Sequence, residues 1–185
     1  RSSDLDLIKS YATEHQKIVF NGNGYSDEWV EEAKRRGLPN LPSMVDAIPA
    51  LVEEKSVELF EKFHVFTRAE LHSRAEIKYE AYAKAINIEA RTMIDIASKH
   101  IIPAVIRGTK ALADTVNAVV QAGVDAEVPR GLLVETSGLL KETKEALGRL
   151  EQVTSEAAFK AEGQAQAEYF YKEVVPVMEA LRTPV

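Results

Sequence analysis

Thr67 to Ile102 reads TRAELHSRAEIKYEAYAKAINIEARTMIDIASKHII, 36 residues with neither glycine nor proline. Thr67 stands three residues ahead of Glu70, the spacing of a capping box. In that motif the threonine hydroxyl and the glutamate carboxylate each satisfy a backbone N–H left over at a helix start. At about 1.5 Å per residue the helix would run roughly 50 Å, longer than a compact domain of this size needs. Rods of that kind span layers of an assembly or form the spine of an elongated bundle.

Apolar residues along the run fall in rows. One row holds Ala75, Tyr79, Tyr82, Ile86, Ala90, Met93, Ala97, Ile101 and Ala104, and its repeat of about 3.67 residues keeps a nearly straight helix in register with its neighbours. A second row holds Ile77, Ala81, Ala85 and Ile88, so burial on more than one side is expected. Glu70/Arg74, Glu80/Lys84, Arg91/Asp95 and Asp95/Lys99 supply i,i+4 charge pairs, each worth about 0.2–0.5 kcal/mol. Pro103 interrupts, yet Val105, Ala111, Leu112, Val116, Val119 and Val120 resume the helical spacing, which predicts a kinked continuation ending near Gly123. A helix from Arg130 to about Val153 and a last one from about Ser155 to Leu181, with a kink at Pro176, complete the set. Long helices joined by short turns pack antiparallel.

The fold class is therefore all-α: an elongated antiparallel helical bundle with one very long helix (67–102, continuing kinked to 122) and short N-terminal helices. Residues 1–66 hold short helices and loops, 67–122 the long helix and 130–182 two further helices, in one domain of 1–185. The start, RSSDLDLIKSYATEHQ, reads as though it opens inside a helix, which predicts a piece of a longer protein. After it, Asn21-Gly22-Asn23-Gly24-Tyr25-Ser26 offers two Asn-Gly pairs that tolerate positive φ, hence a tight turn. Ser26 caps DEWVEEAKRR, acidic first and basic last, which complements the helix dipole, and Gly37 stops it. Ser43, with Asp46 three residues on, starts another short helix that Pro49 ends or kinks.

Composition bounds the function. With 23 basic against 29 acidic residues the net charge is -6, and the scattered cations form no patch to draw nucleic acid. There is no cysteine, which excludes disulfides and thiolate metal sites and fits a reducing, cytoplasmic setting. No window holds 18 uninterrupted apolar residues, so no membrane span is expected.

No catalytic constellation emerges. Glu61 and His64 have the E-x-x-H spacing of di-iron bundles, but such a site needs a second copy and two more glutamates, and no second E-x-x-H is present. His15, His64, His72 and His100 have no nucleophile or acid at motif spacing. The glycine loop lacks the Lys-Ser/Thr tail of a phosphate loop. Trp29 beside Val30 reads as the pin of its short helix or as an anchor in a partner surface. Asn87 and Glu89 read as solvated, or as buried in a polar network.

Three strings carry a family resemblance: IVFNGNGYSDEWVEEAKRRGL, VEEKSVELFEKFHVFTRAELHSR and YAKAINIEARTMIDIA. In that order they resemble the C-terminal region of type III glutamine synthetase, the long bacterial form, over nearly the whole chain. The resemblance implies a parent that joins ammonia to glutamate using ATP and a divalent metal, Mg or Mn, in an upstream catalytic domain. Its histidine-lined barrel and its lysine-proline segment have no counterpart here. NGNGYS lacks the histidine of the family's N-G-S-G-x-H string, so no catalytic, cofactor or metal role is carried onto it. The chain would then be a noncatalytic helical domain with two partners, the catalytic domain of its parent and further copies in a homo-oligomer. Asn21, Gly22, Asn23, Gly24, Tyr25 and Trp29 are the candidates for an interdomain or regulatory contact. The alternatives are a free-standing helical adaptor, or a domain whose NGNGYSDEW loop modulates the parent's active site.

Overall fold

In the computed structural model, which describes residues 2–185 and Ser2 by its backbone alone, every regular element is helical. The chain is 79% helical, and no strand occurs among the described residues. It gathers into two compact units, one ending at Ala47 and one formed by Ile48–Val185, where composition suggested a single domain. The expected helical opening is present from Ser2; at Arg1 it lies outside the described residues.

The first unit contains α1 (Ser2–Glu14), a 3₁₀ turn at Gln16–Ile18 and α2 (Asp27–Arg35). Helix α3 (Met44–Leu51) opens on Ser43, whose hydroxyl accepts the Asp46 N–H at 3.0 Å and donates to its carboxylate at 2.7 Å. Pro49 sits inside α3 rather than ending it.

The larger unit begins with α4 (Glu54–Lys62) and is built on α5 (Arg68–Ile96). The capping box forms: the Thr67 N–H donates to Glu70 Oε2 at 2.8 Å, and the Glu70 N–H to Thr67 Oγ1 at 3.3 Å. A π turn at Ala97–Ile101 joins α5 to α6 (Ile102–Gln121), giving one helical run of 54 residues, about 80 Å along its axis. The π turn has a cause in the sequence. Pro103 has no N–H to give the carbonyl four residues back, and its ring would strike that carbonyl. The widened turn, with Ile102 N–H reaching back to the Ala97 carbonyl, lets the helix pass through. The same device recurs at Phe170–Val174, two residues before Pro176. Gly123, at φ 75°, closes α6 in the left-handed conformation that suits glycine.

Helix α7 (Glu127–Ala157) returns antiparallel. Ile101, Ile102 and Val105 line one cleft with Thr136, Leu139 and Leu140, while the earlier residues Arg91–Lys99 share another with the later Glu151–Phe159. Its seam residues Leu140, Thr143, Leu147, Leu150, Thr154 and Ala157 alternate steps of three and four, the spacing of knobs-into-holes packing. Leu147 and Leu150 are wholly buried. The Thr143 hydroxyl donates to the Leu139 carbonyl at 2.8 Å; Thr154, also buried, has no hydrogen-bond partner among the described residues.

The chain then turns through 158–163, later than the sequence suggested, because Gly163 at φ 84° rather than Ser155 starts the next helix. Helices α8 (Gln164–Tyr169) and α9 (Val175–Arg182), with the π turn between them, form the third arm of the bundle. Gly163 lies against Glu76, and Pro184 and Val185 lie by Ile101, so this helical arm runs parallel to α5. Tyr169 donates to Glu156 at 2.8 Å, and burial first, then that carboxylate, pushes its hydroxyl up to about 12. Eight alanines, Ala75, Ala83, Ala90, Ala97, Ala126, Ala146, Ala157 and Ala167, lie in the core of this unit, and such small side chains let the helix axes approach closely.

The second apolar row of α5 is not buried. Ile77 and Ile88 are 61% and 65% exposed, and Ala81 and Ala85 are exposed between them. Burial on this side was the expectation; among the described residues the face is exposed.

Candidate functional site

The six residues singled out from the sequence lie in the first unit, around a small aromatic cluster. Phe20 and Trp29 face each other with ring centroids 4.6 Å apart, and the Arg36 guanidinium lies 5.7 Å from the Trp29 ring centre. Arg36 also donates to the Lys17 and Val19 carbonyls at 3.1 and 2.7 Å, tying the 3₁₀ segment to α2. Its Nε donates to Glu32 Oε1 at 2.5 Å, and Arg35 forms a bidentate pair with the same carboxylate at 2.6 and 2.5 Å. These bonds, Arg35's first, hold Glu32 down at about 2. Trp29 thus pins α2 through Phe20 and Arg36.

The NGNGYS loop is fixed by its own side chains. Asn23 Oδ1 accepts the Tyr25 N–H at 3.0 Å, an Asx turn, while the Ser26 hydroxyl and N–H both donate to the Asn23 carbonyl, at 2.8 and 3.1 Å. The Ser26 oxygen also accepts the Trp29 N–H at 3.4 Å as the N-cap of α2. The glycines are there for a different reason from the expected one. Neither Gly22 nor Gly24 has positive φ. Instead, a Cβ on Gly22 would stand 2.7 Å from two carbons of the Phe20 ring, whereas one on Gly24 would meet nothing within 4 Å. Gly22 is a space requirement of the Phe20–Trp29 stack.

The outcome is a rigid loop with Tyr25 completely exposed at its tip. Asn21 faces a shallow groove shared with Gln16, Lys17 and Arg36. Rigid, amphipathic aromatics held clear of the surface are the residues that anchor protein contacts. Sequence reading missed a neighbouring feature: every described side chain of α1 is exposed. Leu5, Leu7, Ile8 and Tyr11 are each more than half exposed, and their helical spacing was the available signal.

The E-x-x-H pair is dispersed. Helix α4 ends at Lys62, His64 takes φ 54°, and the Glu61 carboxylate accepts the Arg68 N–H at 3.0 Å. Asn87 accepts from Arg91 at 3.0 Å, while Glu89 is exposed. Glu80–Lys84 and Asp95–Lys99 form as spaced. Arg74 instead lies 4.2 Å from the Phe66 ring centre, and Glu70 is spent on the cap. Among the described residues no three His, Asp or Glu side chains converge where they could hold a metal ion. No described helix is long and apolar enough to cross a membrane.

Comparison with known proteins agrees with the resemblance read from the three strings. The chain is 34% identical over 179 residues to a glutamine synthetase of Butyrivibrio fibrisolvens, covering 96% of this chain and 26% of that protein. It is 35% identical over 185 residues to the type-3 glutamine synthetase of Dictyostelium discoideum, covering 95% of this chain and 25% of the other. A glutamine synthetase of Bacteroides fragilis matches at 34% over 97 residues, covering 52% of this chain and 13% of that protein. The chain spans about a quarter of the length of the first two relatives. The profile described as the glutamine synthetase C-terminal domain matches residues 5–120, and the chain belongs to that family.

Proposed function

We propose that the chain is the noncatalytic C-terminal domain of a long-form glutamine synthetase, an ATP-dependent glutamate–ammonia ligase that uses Mg or Mn. Its part is architectural: it packs against the catalytic domain of its own polypeptide and adds contacts between subunits of a cytoplasmic homo-oligomer. The observation that carries this reading is α1. A helix of 13 residues with no buried described side chain is marginal in water by itself, and its exposed Leu5, Leu7, Ile8 and Tyr11 gain stability only when something covers them. The wide gap in length between this chain and its relatives supports a catalytic domain as that cover.

The test compares two contexts. Leu5→Asp with Ile8→Asp should leave the melting of the 185-residue chain unchanged, because both side chains are already in solvent. In the full-length enzyme the same pair should lower stability and shift the assembly to smaller species. A full-length variant that assembles and melts like the parent would overturn the reading.

Tyr25 favours a second reading, in which the NGNGYSDEW loop reaches the parent's active or regulatory site. Tyr25→Ala in the full-length enzyme would then change KM or kcat with the assembly intact. Unaltered kinetics would sink that alternative.

A further inference from the structure

The uncovered row of α5 has an order that suggests its occupant. Ile77, Ala81, Ala85 and Ile88 follow one another at steps of four, four and three, so they share one face of the helix. Ser73 and Thr92 continue the row at its two ends. The Thr92 hydroxyl donates to the Ile88 carbonyl at 2.8 Å, so its polar group is satisfied by its own helix. Read from either end the row is the same: hydroxyl, isoleucine, alanine, alanine, isoleucine, hydroxyl. Laid antiparallel on a copy of itself, Ile77 meets Ile88 of the second copy and Ala81 meets Ala85. The alanines at the crossing would allow the axes to approach to about 8 Å.

The charges beside the row follow the same symmetry. On one flank Glu76 and Glu80 precede Lys84 and Arg91; on the other Lys78 precedes Glu89. All six are exposed. In an antiparallel pair equivalent flanks face each other with their order reversed. Glu80 then meets Lys84 of the second copy, Glu76 meets Arg91, and Lys78 meets Glu89. A parallel pair would instead bring opposite flanks together, each residue of the row meeting its own copy, with the two helix dipoles aligned. Within one chain these groups have only modest competitors: Lys84 bonds Glu80 at 3.1 Å, and Arg91 bonds Asn87 at 3.0 Å.

We propose that this face of α5 binds a second copy of the chain, antiparallel about a two-fold axis passing near residues 81–85. The interface is isologous: the same patch serves both partners. The proposal names a contact for the assembly role given above and rests on that reading for its use in the parent.

The 185-residue chain itself supplies the test. Sedimentation at rising concentration should show a monomer–dimer equilibrium. Ile77→Lys with Ile88→Lys should abolish the dimer without altering the melt, since both residues are solvent-facing in the monomer. Glu80→Lys alone and Lys84→Glu alone should each weaken self-association about tenfold, through two like-charge contacts per dimer. Mixed together, the two variants should form a heterodimer in which each of those contacts is attractive. The natural absence of cysteine gives a clean register test. An Ile77→Cys and Ile88→Cys mixture should oxidise to a cross-linked pair. Ile77→Cys alone should not, because eleven residues of rise leave its two copies about 16 Å apart along the axis. A chain that stays monomeric at high micromolar concentration, or an Ile77→Cys variant that cross-links to itself, would overturn the proposal. Either result leaves the α1 comparison untouched, so failure of this contact and failure of the architectural reading are separate events.

Discussion

Gly22→Ala is the substitution whose effect the loop geometry fixes most tightly. The added methyl would sit 2.7 Å from Cε1 and Cζ of Phe20, and 3.5 Å from Cδ1. The first two distances are well inside van der Waals contact, so the Phe20 ring must move. It cannot do so freely, because its centroid already lies 4.6 Å from that of Trp29. Displacing it strains a packed pair and forfeits part of an aromatic contact worth about 0.5–1.5 kcal/mol; with overpacking strain added, the expected loss is about 1–3 kcal/mol. Gly24→Ala is the control. It meets no atom within 4 Å and has no positive φ to strain, so it should be neutral or slightly stabilising through the unfolded chain. Trp29 is the only tryptophan, so its fluorescence during urea titration reports on this unit alone. Equal midpoints for the two variants, or a larger loss at Gly24, would refute the reasoning.

Other expectations follow from the same structure. Leu150→Ala, at a wholly buried position on α7, should cost about 2–5 kcal/mol by calorimetry, whereas Leu132→Ala, 48% exposed, should stay within about 0.5 kcal/mol. Gly163→Ala adds a Cβ at φ 84°, 2.7 Å from Glu76 Oε2, and should cost about 1–3 kcal/mol; pairing it with Glu76→Ala should relieve the clash but leave the backbone strain. Glu32 is held at about 2 in the fold against 4.5 for the free group, so between those values the unfolded chain binds more protons. Its contribution is complete above about pH 4.5 and is lost as pH falls through 2. The Trp29 transition should weaken over that window in the natural chain and less so in Glu32→Gln.

Local signals in this sequence were faithful wherever one residue decides one bond. Thr67 and Glu70 specify a helix start that needs no tertiary help, and Ser26 and Ser43 do the same for α2 and α3. Signals that depend on what lies opposite were not. The row through Ile77 and Ile88 is as periodic as the one through Ala75 and Ala90, and no sequence rule distinguishes a face covered by this chain from one covered by another. Gly22 looked like a turn glycine because Asn-Gly pairs usually are; its actual neighbour, Phe20, is placed by Trp29 and Arg36. The turn lies at 158–163 rather than near Ser155 because alanine continues a helix readily, so α7 runs to Ala157 before Gly163 opens the next helix. Tyr25 was named as a candidate, but its full exposure comes from the Asn23 and Ser26 bonds that fix the loop.

The central claim is that this chain supplies contact surfaces while ligation is performed elsewhere in the parent polypeptide. Its most direct test is the mass distribution of the full-length enzyme with and without these 185 residues, measured alongside glutamine formation by the 185-residue chain alone. The account predicts smaller or less stable assemblies after deletion, and no glutamine from the isolated chain. An unchanged assembly after deletion, or glutamine made by the chain without its parent, would contradict it.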